Sequence, residues 1–177
     1  NFISGFFISI CKPFNIGDRV TILDKNITGI IEDITLRHTV IKTYTNNRVI
    51  IPNSIMNKSI IENSNYFDEK SLAFIDVNID YKSDVKKAMQ IMERIIENHP
   101  KYIDMRTPEE KLNNVPKVSI LIRELGDYAV QLRGSMWTNT VEESFEACSD
   151  VRLQIISEFR KNNILIPHEK IEITKGL

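Results

Sequence analysis

The sequence is poor in cysteine, and it holds no apolar run long enough to cross a bilayer. Its two cysteines, Cys11 and Cys148, stand alone without a CxxC spacing, which excludes a disulfide framework or a zinc knuckle. A spanning helix needs roughly 20 consecutive apolar residues, and no stretch approaches that. The first residues carry neither a basic n-region nor a small-residue cleavage site, so they do not read as a signal peptide. A basic excess is missing too: 23 Lys and Arg against 24 Asp and Glu leave a net charge of −1. That balance argues against a dedicated nucleic-acid binder, which neutralises phosphates with surplus cations.

Motifs of catalysis are equally scarce. There is no GxxxxGK[ST] loop, no GxSxG elbow and no HExxH pair. His38, His99 and His168 fall in separate elements without an i, i+4 partner, so packing or surface roles are expected rather than metal ligation. Glu109-Glu110 and Glu142-Glu143 sit near predicted helix starts, where the helix dipole accounts for them. No catalytic residue, metal or cofactor is expected, and the chain does not read as an enzyme.

What the 177 residues do contain is regular patterning, enough for one domain with a sizeable core or for two small ones. In residues 1–12, Phe2, Ile3, Phe6, Phe7 and Ile10 fall on one arc of a helical wheel, and Asn1, Gly5, Ser9 and Lys12 on the other. This predicts a helix with one bulky face and one small, polar face. Pro13 should end it. A chain that starts at Asn inside an apolar pattern is expected to be a piece of something longer. Residues 14–61 read as β: RVTIL (19–23), ITGIIEDI (27–34) with an interior Gly29, TLRHTVIKTY (35–44) and RVIIP (48–52). Gly17-Asp18, Asp24-Lys25-Asn26 and Asn46-Asn47 supply the turns. Short strands joined tightly predict a small barrel-like sheet.

The polar stretch ENSNYFDEKS (62–71) is the expected linker. Beyond it LAFIDVNIDY (72–81) alternates as a strand. A helix capped by Ser83 or Asp84 follows, with Val85, Ala88, Met89, Met92, Ile95 and Ile96 on its apolar face. KVSILI (117–122) and YAVQLRGSMW (128–137) read as strands around a turn at Leu125-Gly126-Asp127. Thr140 and Glu143 have capping-box spacing for a helix to about Lys161 that buries Phe145, Cys148, Val151, Ile155 and Phe159. ILIP (164–167) and KIEIT (170–174) read as closing strand. From residue 72 onward the order is βαββαβ, the ferredoxin-like plan. An RNA-recognition reading of that plan fails, because YAVQLRGSMW lacks the basic and aromatic core needed to stack bases.

Taken together, GFFISICKPFNIGDRVTI, GIIEDITLRHTVIKTYTNNRVIIPNS and the βαββαβ tail closely resemble the small-conductance mechanosensitive channel (MscS) family over essentially the whole chain. The specific elements are Lys12-Pro13-Phe14, Gly17-Asp18, Gly29 with the β-branched run after it, and Val49 to Ser54, which holds Pro52 and Asn53. The resemblance implies an α+β chain. Residues 1–13 would be the end of a pore-lining third transmembrane helix, and 14–61 a small Sm-like β barrel or sheet. Residues 62–71 would be a linker and 72–177 a ferredoxin-like domain.

It further implies the vestibule of a channel that opens under membrane tension and releases ions and small solutes on osmotic downshift. The partners would be six further copies in a homo-heptamer, and the membrane through preceding helices; nucleic acid would not be one. The location would be the cytoplasmic side of the cell (inner) membrane. Asn1, Gly5 and Ser9 would form the small, polar face of the pore helix. Pro13, Phe14, Gly17, Asp18, Gly29, Pro52 and Asn53 would be structural motif positions, and Glu62, Asp68, Glu69 and Lys70 would border the side portals. The competing expectation is a soluble, oligomeric interaction module without channel activity.

Overall fold

A computed structural model describes residues 13–167, and the chain divides into two compact units, Asn1–Glu69 and Lys70–Leu177. Asn1, Gly5 and Ser9 with the rest of the expected helix, and the expected strand at 170–174, lie outside the described residues.

The first unit contains β1 (Arg19–Ile22), β2 (Ile27–Ile34), β3 (His38–Lys42), β4 (Arg48–Pro52), the single turn of helix α1 (Asn53–Met56) and β5 (Ile61–Asn63). All neighbours pair antiparallel in the order β4-β3-β2-β1-β5. Alternation along the strands puts Val20, Ile22, Ile31, Ile41 and Ile51 on one face, where they pack with Phe14 and Met56. Among the described residues the barrel-or-sheet expectation resolves to a five-stranded sheet whose margins are β4 and β5. Asn26 and Asn46 take left-handed φ values of 53° and 66° at the two hairpin turns, a conformation Asn tolerates better than most residues. The run 35–44 is strand only from His38 to Lys42. Thr35 ends the regular pairing early, because its hydroxyl accepts from the Arg37 and His38 amides and donates to the His38 carbonyl.

Gly29 stands where β2 passes closest to β3. A Cβ there would lie 2.3 Å from the Lys42 carbonyl oxygen and 2.7 Å from Ile41 Cγ2. Only a residue without a side chain allows that approach.

The second unit contains β6 (Ser71–Ile79), α2 (Val85–Glu97), α3 (Pro108–Leu112), β7 (Ile120–Leu125), β8 (Val130–Thr138) and α4 (Val141–Lys161). The sheet order β6-β8-β7 is that of a ferredoxin-like unit. Asp84 caps α2 by accepting from the Lys87 amide at 3.0 Å. Ala88, Ile91, Met92, Ile95 and Ile96 of α2 meet Ile75, Ile79, Leu132 and Met136 from the sheet in one core.

Three expectations are corrected here. Phe145 is 61% exposed, and Ser144 and Ala147 take the inward positions instead. The Thr140 hydroxyl does accept from the Glu143 amide, but the Glu143 carboxylate accepts from Asn139 rather than completing a capping box. The complete box is at Thr107 and Glu110, on α3. Residues 164–167 are not strand: Leu165 accepts from the Asp80 amide at 2.9 Å and donates to Ser83 Oγ, and Pro167 has no N–H with which to continue a ladder.

On the sheet face turned away from the helices, Arg133 donates to Asp76 from Nε and Nη2, both at 2.6 Å, and Arg123 donates at 3.1 Å. The Arg133 guanidinium also lies 4.7 Å from the centre of the Phe74 ring. The hydrogen bonds from Arg133 hold the Asp76 carboxyl below its ordinary range.

Two outcomes follow. Gly29→Ala should cost the first unit about 1–3 kcal/mol, the usual range for forcing atoms into a packed site. Amide exchange in β1 to β3 would speed up, while fluorescence of Trp137, in β8, reports the second unit separately. The second outcome concerns acid. A carboxyl with a depressed folded pKa stabilises above its unfolded value, about 3.9 for Asp, and that stability is lost as pH falls through the folded value. Asp104, Glu110, Glu146 and Glu158 shift the same way. Asp76→Asn should therefore flatten, without abolishing, the loss of Trp137-monitored stability below about pH 4.

Candidate functional site

The sequence motif residues Pro13, Phe14, Gly17 and Asp18 come together where the chain enters the first unit. Phe14 is 2% exposed and plugs one end of the β core. The next four residues form a turn: the Asp18 amide donates to the Asn15 carbonyl at 3.1 Å, and the Asn15 amide donates to the Asp18 carboxylate at 2.8 Å. Gly17 has φ 97°, a conformation glycine adopts without steric cost. Its amide donates to the Ile31 carbonyl at 2.8 Å, and the Ile31 amide donates to the Asp18 carbonyl at 2.9 Å.

The outgoing chain is fastened to the same place. Asn63, the last residue of β5, donates from Nδ2 to the same Asp18 oxygen at 2.8 Å, and more distantly to the Pro13 carbonyl at 3.4 Å. Its Oδ1 accepts from the Asn65 amide at 2.9 Å, and Asn65 Oδ1 accepts from the Arg19 amide at 2.8 Å. Arg19 donates to Ser64 Oγ at 3.0 Å and to the Tyr44 hydroxyl, with its guanidinium 5.7 Å from the Tyr44 ring centre. A run of amide and hydroxyl contacts thus ties residues 13–19 to 63–65.

Pro52 and Asn53 form a second knot at the β4 margin of the sheet. Asn53 is 1% exposed. Its Oδ1 accepts from the Thr39 hydroxyl at 2.9 Å, its Nδ2 donates to the Thr35 carbonyl at 2.8 Å, and its backbone amide donates to the Arg37 carbonyl at 2.9 Å. A buried amide with these bonds satisfied fixes the β2–β3 connection against the start of α1.

Of the expected portal residues, Glu62 lies within β5 opposite Thr21, so part of the expected linker belongs to the sheet. Asp68, Glu69 and Lys70 follow in an exposed stretch that begins at Tyr66. Ile16, Gly17, Ile30, Glu32, Lys42 and Tyr44 line an open hollow of about 560 Å³ on the sheet's outer face. Beside it Arg48 donates to Glu32 at 2.9 Å from two nitrogens, which lowers the Glu32 carboxyl. His99 is buried, and its Nδ1 accepts from the Lys101 amide at 3.2 Å, a packing role. Among the described residues no three His, Cys, Asp or Glu side chains come together in a way that could hold a metal, and no helix is long and apolar enough to cross a membrane.

The sequence marks Asp18 and Asn53 as motif positions but gives no sign of their partners. Asn63 and Asn65 looked like linker residues because their neighbourhood is polar. The only signal was their two-residue spacing, which is the period of a strand. Thr39 had no signal beyond its β-branched type.

Comparison with known proteins places this geometry. Residues 1–66 match the family model described as the beta-domain of mechanosensitive ion channels, and residues 74–166 match the C-terminal model of the mechanosensitive ion channel MscS. The small-conductance mechanosensitive channel MscMJ of Methanocaldococcus jannaschii is 31% identical, over 93% of this chain and 44% of its own length. An uncharacterised MscS family protein of Archaeoglobus fulgidus is 32% identical, over 94% of this chain and 54% of its own. The chain thus spans about half the length of these relatives. The closed-state crystal structure of Helicobacter pylori MscS superposes with a TM-score of 0.83 at 21% identity, covering 99% of this chain and 64% of that one. With one domain model following the other in order along nearly the whole sequence, the chain belongs to the MscS family of mechanosensitive channels.

Proposed function

We propose that this chain is the cytoplasmic portion of a channel that opens under membrane tension and passes ions and small solutes on osmotic downshift. The observation that carries the reading is the successive match to the β-domain and the C-terminal domain of mechanosensitive channels. Tension favours whichever state occupies more membrane area, so a two-state pore shifts its population under stretch. In this reading Asn1, Gly5 and Ser9 let pore helices lie close together, as small residues do at helix interfaces. The chain needs no catalytic chemistry.

The open first unit supports assembly with further copies, proposed as a homo-heptamer at the cell membrane. Among the described residues its sheet ends on two margins, β4 and β5, and strand edges are ready sites for pairing with another chain. Its exposed apolar residues include Ile16, Ile50 and Ile60, surface that a ring of neighbours would cover.

The direct test is electrical. Liposome patches containing the full-length gene product should respond to suction with stepwise currents, and expression in a bacterium without its own mechanosensitive channels should raise survival of osmotic downshift. Patches that stay silent up to lytic tension overturn the reading. The proposed portal role of Glu62, Asp68, Glu69 and Lys70 has its own outcome: reversing all four charges should move the reversal potential in asymmetric KCl toward that of anions. An unchanged reversal potential removes these residues from the permeation path.

A further inference from the structure

We infer that Phe67 is a docking anchor, whose ring enters the open hollow on the outer face of the first unit's sheet in a neighbouring copy of this chain. The inference rests on the assembly with further copies proposed above and names the side chains that would meet in it. Phe67 is 94% exposed, the highest value of any large apolar side chain among the described residues. An aromatic side chain carries about 150–250 Å² of surface whose burial is favourable, and here all of it faces water. The ring is nevertheless held in place. It meets the Tyr66 ring edge to face, with centroids 4.5 Å apart and planes at 81°. The two residues before Tyr66 are fastened in turn: Ser64 Oγ accepts from the Arg19 guanidinium and Asn65 Oδ1 from the Arg19 amide. A ring positioned outward before it binds loses less freedom on docking than a loose one.

The hollow fits such an anchor in size and chemistry. Its volume of about 560 Å³ is that of a small-ligand pocket, and Ile16, Ile30 and Tyr44 give it apolar walls that are themselves exposed. The charges around it are mostly positive. Lys42 lines it, Arg19 donates to the Tyr44 hydroxyl, and Arg48 donates to Glu32, the one carboxylate of the lining. Phe67 is followed by Asp68, Glu69 and Lys70, two acids to one base, so the chain that brings the ring also brings the complementary sign. Complementary potentials set the register of such a contact. The occupant is a second copy because each chain carries both halves. Phe67 and the hollow belong to the same unit, yet within one chain the ring stands in solvent. A contact between two different surfaces of identical chains is heterologous: it repeats from copy to copy and closes into a ring where the rotation permits.

The test uses the full-length gene product in liposomes and in detergent. With the photoreactive residue benzoylphenylalanine at position 67, which keeps an aromatic ring there, irradiation should give covalent multiples of the subunit mass. Mass spectrometry should place the new bonds on Ile16, Ile30 or Tyr44 of another copy. Phe67→Ala should speed the exchange of subunits between labelled and unlabelled complexes about thirtyfold, the size expected for loss of an interface anchor. Ile16→Asp, which sets a carboxylate in the wall of the hollow, should act in the same direction. Both positions are exposed, so amide exchange in β1 to β3 should stay as in the wild type, which separates lost docking from lost folding. Links that form within one chain, to lipid or to another part of the neighbour overturn the docking alone, as does an assembled Phe67→Ala variant with unchanged exchange. A wild type that has the mass of a single subunit in both media overturns the proposed assembly and the docking with it.

Discussion

One oxygen of Asp18 receives donors from both ends of the β unit, and the layout of that unit follows from the tie. β1 begins at the next residue and lies between β2 and β5, so the incoming chain joins the sheet one strand in from its β5 margin. Gly17 makes the turn and zips it to Ile31, while Phe14 fills the core just before it. β5 contributes only three residues to the ladder. Its place beside β1 is fixed as much by Asn63 and Asn65 as by backbone pairing.

The two units solve the problem of stability differently. Among the described residues, the second gathers seventeen buried residues into one core beneath two long helices, whereas the first has seven. Small domains bury a lower fraction of their surface, and polar knots such as Asn53 with Thr39 take on more of the work of defining the sheet. The Gly29 approach belongs to the same economy: β2 and β3 come close enough to exclude a Cβ, which keeps a thin core dense.

Legibility in the sequence followed the physics of each element. β2 and β4 were readable to the residue and α4 approximately so, because alternation and helical period are dictated by which side chains face the core. Phe145 misled because an aromatic three residues before Cys148 fits a helical stripe on paper, while the packed phase uses Ser144 and Ala147. Thr35 ended a β-branched run by bonding its own neighbours, an event that composition does not encode. The motif positions Asp18 and Asn53 were visible through family resemblance. Their partners Asn63 and Thr39 were not, since a hydrogen bond between residues 45 or 14 positions apart leaves no local pattern.

The chemistry of these ties also suits the condition under which the proposed function operates. Exposed ion pairs are screened as ionic strength rises, and the molecule has several, among them Arg48–Glu32, Arg94–Glu158 and Lys101–Glu146. The contacts that position the incoming chain are of another kind. Asn63 to Asp18, Asn65 to Asn63, and Arg19 to Asn65 are short, partly buried hydrogen bonds, each with at least one uncharged partner. Asn53 to Thr39 is fully buried and neutral. Such bonds depend on geometry far more than on the surrounding salt. A device that must respond to membrane stretch during an abrupt change in osmolarity gains from keeping its mechanical reference in contacts that dilution does not weaken or strengthen. In the proposed channel, the fastening of residues 13–19 to 63–65 would therefore change little with the ionic change that accompanies a downshift.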